Sequence, residues 1–282
     1  MTLQPSFEWL FDRVAPDYED KIIPAFGQLA ENFVGWIGPR PTDFVVDVGT
    51  GTGIVPRYIA PRVAMVIGID FIWRMAHIAT SVAREQQLPN AYFVQSDAHR
   101  LAFADSSFNL ITASFGLNTT IPRKVFPELH RILKANGRLC IQEWGGWHAF
   151  DQIMLDVIDA YAVYDEDAPP ELIALRDFTE VERPWYRDMQ TEEDYEELLA
   201  ETGFVQIEAD EHQPVIVRLT VNEFLSYKLA WVGRSMELDA MDESARGDCI
   251  DQLRDRFYDH VDGDGMLNYD PKLFRIQARR SD

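Results

Sequence analysis

The chain has 282 residues, with 26 Lys or Arg against 47 Asp or Glu, giving a formal net charge of −21. At 46% hydrophobic and 12% aromatic residues it has the composition of a folded protein with a full core, not of an acidic disordered tail. A surface this negative repels a polyphosphate backbone and an anionic leaflet, so neither nucleic acid nor membrane is an expected partner.

The richest basic run, Arg275 to Arg280, holds three arginines. Cys140 and Cys249 lie far apart, with no metal-ligand spacing and no second pair, which points to a reducing, cytoplasmic setting. The first residues lack a basic segment followed by an apolar run. Nowhere do eighteen uncharged apolar residues follow one another, so neither export nor a membrane span is expected.

Along the chain, two amphipathic stretches come first, Ser6 to Val14 and about Tyr18 to Trp36, and read as helices covering something. From Asp43 short apolar runs alternate with helical segments: Phe44 to Val48, Met65 to Asp70, Tyr92 to Ser96, Phe108 to Ser114 and Arg138 to Glu143. Five strands with helices between them predict a parallel sheet. After Glu143 the alternation lapses for about forty-five residues rich in aromatics, among them Trp144, Trp147, His148, Phe150, Tyr164, Trp185 and Tyr186. These read either as ordinary packing of an irregular segment or as the wall of an acceptor pocket. Thr191 then caps a helix to Thr202, Phe204 to Ala209 forms a sixth strand, and Leu219 to Asp259 is mostly helical, entered through Thr220. Leu273 to Ala278 alternates as a last strand. The acidic runs at Asp165, Glu166 and Asp167 and at Glu192, Glu193 and Asp194 read as solvated faces, and no His, Asp or Glu cluster suits a metal.

The motif that carries chemistry is Val45-Val46-Asp47-Val48-Gly49-Thr50-Gly51-Thr52-Gly53, an apolar strand with an acid near its end, running into three glycines. Glycine belongs where backbone takes positive φ or lies against a ligand, and the following helix presents free N–H groups. Asp70 ends the next apolar run, where an acid accepts ribose hydroxyls. Asp97 ends the third strand, placed for an adenine amino group. A dinucleotide fingerprint would need its third glycine at Ile54, so the spacing argues against nicotinamide cofactors. Taken alone, the glycine run is also compatible with a ligand-free turn, and Asp97 with a helix N-cap.

In this setting the sequence resembles the class I S-adenosylmethionine-dependent methyltransferases, in particular the small-molecule branch with the ubiquinone and menaquinone C-methyltransferases. The matching residues run in order from Phe11-Asp12-Arg13-Val14-Ala15-Pro16-Asp17-Tyr18 through the glycine run, Gly68-Ile69-Asp70, Asp97-Ala98, Leu101-Ala102-Phe103 and Asp105-Ser106-Ser107-Phe108 to His130–Gly137. The resemblance covers about residues 6 to 145. It departs at Ala135-Asn136, where the family usually has Pro-Gly, and it fades beyond Glu143.

The resemblance implies an α/β, Rossmann-like, seven-stranded and mostly parallel sheet with helices on both faces and an antiparallel last strand. It implies one domain, residues 1–145 carrying N-terminal helices and the cofactor half. Residues 146–282 would complete it, with lid insertions at about 146–190 and 215–270. The expected site residues for S-adenosyl-L-methionine, and for the product S-adenosyl-L-homocysteine, are Tyr18, Asp47, Gly49, Thr50, Gly51, Gly53, Asp70, Phe71, Met75, Asp97, Ala98, Ser114 and Phe115. Phe71 and Met75 read equally as core. His99 and His148 are candidate bases, or else a loop residue and a surface residue, and Glu143 is a strand tip or faces the acceptor.

The implied reaction is methyl transfer to a small molecule, neutral or cationic if the acidic second half repels anions. A polyamine synthase would need acids near Ala113 to Asn118, where this chain has none. A non-catalytic methyltransferase-like binding module, sensing the cofactor or supporting a partner, is the alternative. Oligomeric state is open.

Overall fold

The structure is a computed structural model that describes residues 5–164, 167–181, 184–210 and 215–282. In chain order its elements begin with α1 (Phe7–Val14), α2 (Ile23–Ile37), β1 (Phe44–Val48), α3 (Ile54–Ile59), β2 (Met65–Asp70), α4 (Trp73–Glu85), β3 (Ala91–Gln95), β4 (Phe108–Ser114), α5 (Pro122–Ile132) and β5 (Leu133–Trp144). They continue with α6 (Ala149–Tyr161), α7 (Pro170–Val181), α8 (Pro184–Asp188), α9 (Glu192–Thr202), β6 (Phe204–Asp210), β7 (Val217–Leu219), α10 (Val221–Leu229), α11 (Val232–Ala240), α12 (Glu243–Tyr258), β8 (Leu267–Tyr269) and β9 (Leu273–Arg280). The chain divides into two compact units.

The larger unit, residues 29–146, 183–214 and 272–282, holds a seven-stranded sheet in the order β3-β2-β1-β4-β5-β9-β6. Only β9 runs antiparallel to its neighbours, as expected. The order reverses between β1 and β4, which opens a crevice at the carboxyl ends of those strands. Right-handed crossovers put α3 and α4 on one face and α5 and α9 on the other. The core is the expected apolar runs: Val46, Val48, Ile111, Ala113, Leu139 and Ile141 from the central strands meet Phe126, Leu129 and Tyr195 from the helices.

Two readings of this unit are corrected. The last strand does not alternate. It is buried from Leu273 to Ile276 without a break, because it lies between β5 and β6 with both faces covered. Trp185 is no pocket wall: it is fully buried, its indole N–H donates to the Tyr195 hydroxyl at 3.2 Å, and its ring meets Phe126 edge-on.

The terminal arginines do not form a basic patch. The Arg279 guanidinium donates to the Asn136 carbonyl and that of Arg280 to the Leu133 carbonyl, tying the last strand to the irregular first residues of β5. Asn136 itself takes φ +58°, a left-handed conformation that Asn tolerates, so the departure from Pro-Gly keeps the turn.

The smaller unit comprises residues 1–28, 147–182 and 215–271. Here the aromatic stretch after Glu143, read as irregular, is largely helical. Phe150, Met154, Val157 and Ile158 recur at helical spacing and are the buried face of α6, a period hidden by the aromatic count. Phe150 meets Phe224 and Phe257 edge-on at 5.5 and 5.3 Å, and burying such a ring contributes roughly 1.5–3 kcal/mol. The helical stretch after Leu219 is α10 to α12, entered through a capping box of Thr220 and Glu223. A short antiparallel pair, β7 with β8, was not anticipated. Trp147 and Tyr164 are exposed. The acids Asp165 and Glu166 and the side chain of Tyr186 lie outside the described residues.

Candidate functional site

The site is assembled at the carboxyl edge of β1, β2, β3 and β4. β1 delivers Asp47, fully buried, whose carboxylate accepts a hydrogen bond of 2.6 Å from the Thr112 hydroxyl of β4. Burial pushes the Asp47 carboxyl up to about 7, against the pull of the Thr112 and Thr50 hydroxyls.

The turn that follows is glycine for steric reasons. Gly49 has φ +67°, and a Cβ there would come within 2.3 Å of the Gly116 Cα in the loop after β4. Gly53 has φ +84° and lies against the Phe93 ring and Ala79. Thr50 is buried, its N–H donating to the Ile69 carbonyl of β2 at 2.9 Å.

Asp70 ends β2 and reaches back to this turn. One carboxylate oxygen accepts from Gly51 N–H and the other from Ile72 N–H, each at 2.8 Å. Burial nonetheless raises its pKa to about 6. Beside it Phe71 is half exposed, whereas Met75 on α4 is buried in the core.

Asp97, past the end of β3, caps no helix. Its carboxylate accepts the His99 N–H in a local turn and faces His99 Nδ1 at 2.8 Å. Ala98 packs against the core of the same unit. Ser114 and Phe115 follow at the end of β4. Ser114 is half-buried, and Phe115, at φ +58°, stacks on Trp144 with centroids 4.1 Å apart.

Asp47, Gly49, Thr50, Gly51, Gly53, Asp70, Phe71, Asp97, Ala98, Ser114 and Phe115 thus all belong to one edge of one sheet. Tyr18 lies in the smaller unit, buried edge-on against Phe26 and Trp231.

Neither histidine is idle. His99 Nε2 accepts the Ile121 N–H at 2.9 Å, so in the neutral ring the proton sits on Nδ1, facing Asp97. His148, in the smaller unit, caps α6: Nδ1 accepts the Phe150 N–H at 3.0 Å and Nε2 meets Asp270 at 2.7 Å. Glu143 is fully buried at the end of β5, accepting from Leu117 N–H and the Asn118 amide. Burial pushes its carboxyl up to about 8.

Sequence reasoning missed Thr112, Gly116, Gln142 and Arg275. For Thr112, Gln142 and Arg275 the signal available was a polar side chain inside an otherwise apolar strand, a position that demands a partner.

Parts of this chain are similar to known proteins. Residues 46–141 match a family profile described as a methyltransferase domain. Among curated relatives, a demethylmenaquinone methyltransferase of Thermotoga maritima is 37% identical over 143 residues, 48% of this chain and 59% of that protein. A 2-phytyl-1,4-naphtoquinone methyltransferase of Nostoc is 33% identical over 145 residues, covering 48% and 63%. The chain therefore spans less than two thirds of the length of these relatives. Among solved structures, a phosphoethanolamine N-methyltransferase of Haemonchus contortus, in complex with phosphomonomethylethanolamine and S-adenosylhomocysteine, superposes with TM-score 0.59 at 15% identity, over 98% of this chain and 59% of that one. The YcgJ protein of Bacillus subtilis gives 0.55 at 18% identity, over 89% and 99%. This chain and these two structures share the fold. No helix among the described residues is long and apolar enough to cross a membrane.

Proposed function

We propose that the protein transfers the methyl group of S-adenosyl-L-methionine to a small-molecule acceptor. What carries the reading is the row of three acids, Asp47, Asp70 and Asp97, at the ends of adjacent strands, with a glycine turn whose N–H already holds Asp70. The residues present fit the donor. Asp47 is a buried and Asp70 a half-buried carboxyl, both with raised pKa values and no cation within hydrogen-bonding reach among the described residues, the condition that a cationic amino-acid nucleoside relieves. The half-exposed Phe71 ring beside Asp70 offers an apolar surface to the base.

In this reading Asp47 organises the methionine end, Asp70 takes the ribose hydroxyls on its remaining lone pairs, and Asp97 with Ala98 takes the adenine. The nucleophile forms its bond to the methyl carbon as the bond to sulfur breaks, and the electron pair returns to sulfur. Because the donor is already activated, the chain contributes alignment and exclusion of water more than bond chemistry. The quinone acceptors of the curated relatives are one candidate class for this protein.

Calorimetric titration with S-adenosylhomocysteine tests the site. The wild type should bind, and Asp70→Ala should bind at least about tenfold more weakly, the loss expected for charged hydrogen bonds. An unchanged isotherm would remove Asp70 from the site and the reading with it.

A further inference from the structure

Arg275 is a buried guanidinium whose hydrogen-bond partners are all neutral. It sits in β9 at 3% exposure, in register with Gln142 of β5, which is in register with Ser114 of β4. Its Nε and Nη2 donate to Gln142 Oε1 at 3.0 and 2.7 Å, and Nη2 also donates to Asn32 Oδ1 of α2 at 2.7 Å. The plane lies over the Trp36 and Phe33 rings. The acid in register on the other side is Asp210 of β6, which makes no hydrogen bond to it. Buried charges are ordinarily paired in contact, and here desolvation lowers the guanidinium's pKa to about 10 against the Coulombic pull of Asp210.

The polarity of this row is fixed. Arginine only donates, so Gln142 must turn Oε1 toward it, and its Nε2 then donates to Ser114 Oγ at 3.2 Å. Ser114 Oγ is thereby an acceptor, and its own proton has no acceptor among the described residues. Arg275 Nη1 likewise donates to none of them. The row runs from half-buried Ser114 to exposed Asn32, and Phe115, next to Ser114, stacks on Trp144. The row thus holds two unused donors, with Ser114 at the same strand edge as the proposed methyl donor.

We propose that Arg275 and Ser114 recognise an oxyanion on the methyl acceptor, which is therefore an aromatic or otherwise apolar small molecule bearing an anionic oxygen. This rests on the methyltransferase reading above. The net charge of −21 argues the other way, but it acts at range and is screened within about 8–10 Å at physiological salt, whereas a guanidinium in contact is not.

The test uses the full chain saturated with S-adenosylhomocysteine and three aromatic acids, benzoate, phenylacetate and 3-phenylpropionate, each against its neutral amide. By calorimetry at least one acid should bind at least about tenfold more tightly than its amide, and Arg275→Gln should erase that preference while Arg275→Lys keeps part of it. Equal binding of every acid and amide by the wild type, which requires no variant to fold, would overturn the proposal. So would an acid preference that survives Arg275→Gln. If Arg275→Gln instead weakens S-adenosylhomocysteine in step with the acid, the guanidinium serves the donor's own carboxylate, and this inference fails while the donor site stands. Failure of the wild type to bind S-adenosylhomocysteine would instead fail the methyltransferase reading.

Discussion

Asp47 and Asp70 push the free and the liganded protein in opposite directions. Both carboxyls hold protons in the folded chain at pH values where the unfolded chain has released them, Asp47 up to about 7 and Asp70 up to about 6 against an ordinary 3.8. Their contribution to stability is therefore present below about pH 4 and is lost as pH rises through 6 and 7. In the proposed site the ligand's α-ammonium, near Asp47, and its ribose hydroxyls, on Asp70, favour the ionised forms. The ligand's affinity should thus fall on acidification below about pH 7 and fall more steeply below 6, with proton release on binding at neutral pH. Titration of S-adenosylhomocysteine in buffers of different ionisation enthalpy measures both, and Asp47→Asn should remove the upper step. Gly49→Ala makes a second prediction. A non-glycine residue at φ +67° costs of order 1–3 kcal/mol, and the Cβ overlaps Gly116, so the melting temperature should drop and donor binding should weaken with it. An alanine variant as stable as the wild type would contradict the packing described for the turn.

At the scale of elements, His99 joins the end of β3 to the start of α5 by holding Asp97 on one ring nitrogen and Ile121 N–H on the other. His99→Ala should cost about 1 kcal/mol of stability through the orphaned N–H and should weaken S-adenosylhomocysteine by loosening Asp97. Were His99 a free base, product affinity would not change. Thr191 caps α9 in a reciprocal box with Asp194, so Thr191→Ala should cost about 1 kcal/mol in denaturant unfolding. The capping boxes of α9 and α10, the strand β1 and the three acids were legible in the sequence, because each is a local rule: an acid or hydroxyl at a terminus, an apolar run, a glycine where φ is positive. The histidine's partners were not, since Ile121 is twenty-two residues away and only the fold brings its N–H to the ring. For the same reason Arg275 read as part of a terminal basic run. Its burial follows from β9 taking an interior place in the sheet, which strand order decides and local sequence does not.

At the scale of the molecule, the helices of the smaller unit were half legible. The period of α6 is present at Phe150, Met154, Val157 and Ile158, but it starts behind Trp144 and Trp147, which obscure it, and β7 and β8 are too short to declare themselves. The net charge of −21 acts at this scale on encounter rather than on contact. For an anionic acceptor, raising ionic strength from about 10 to 150 mM shortens the reach of that repulsion from roughly 30 to 8 Å, so the association rate of an aromatic acid should rise with salt. A falling rate would mean that a local positive field, not the net charge, governs approach. The central claim is methyl transfer, and its most direct measurement is the passage of labelled methyl from S-adenosylmethionine into the small-molecule fraction of a cell extract. The wild type should label a compound that Asp70→Ala leaves unlabelled at the same donor concentration. A wild type that binds the donor yet labels nothing above the enzyme-free control would contradict the account and leave a binding module in its place.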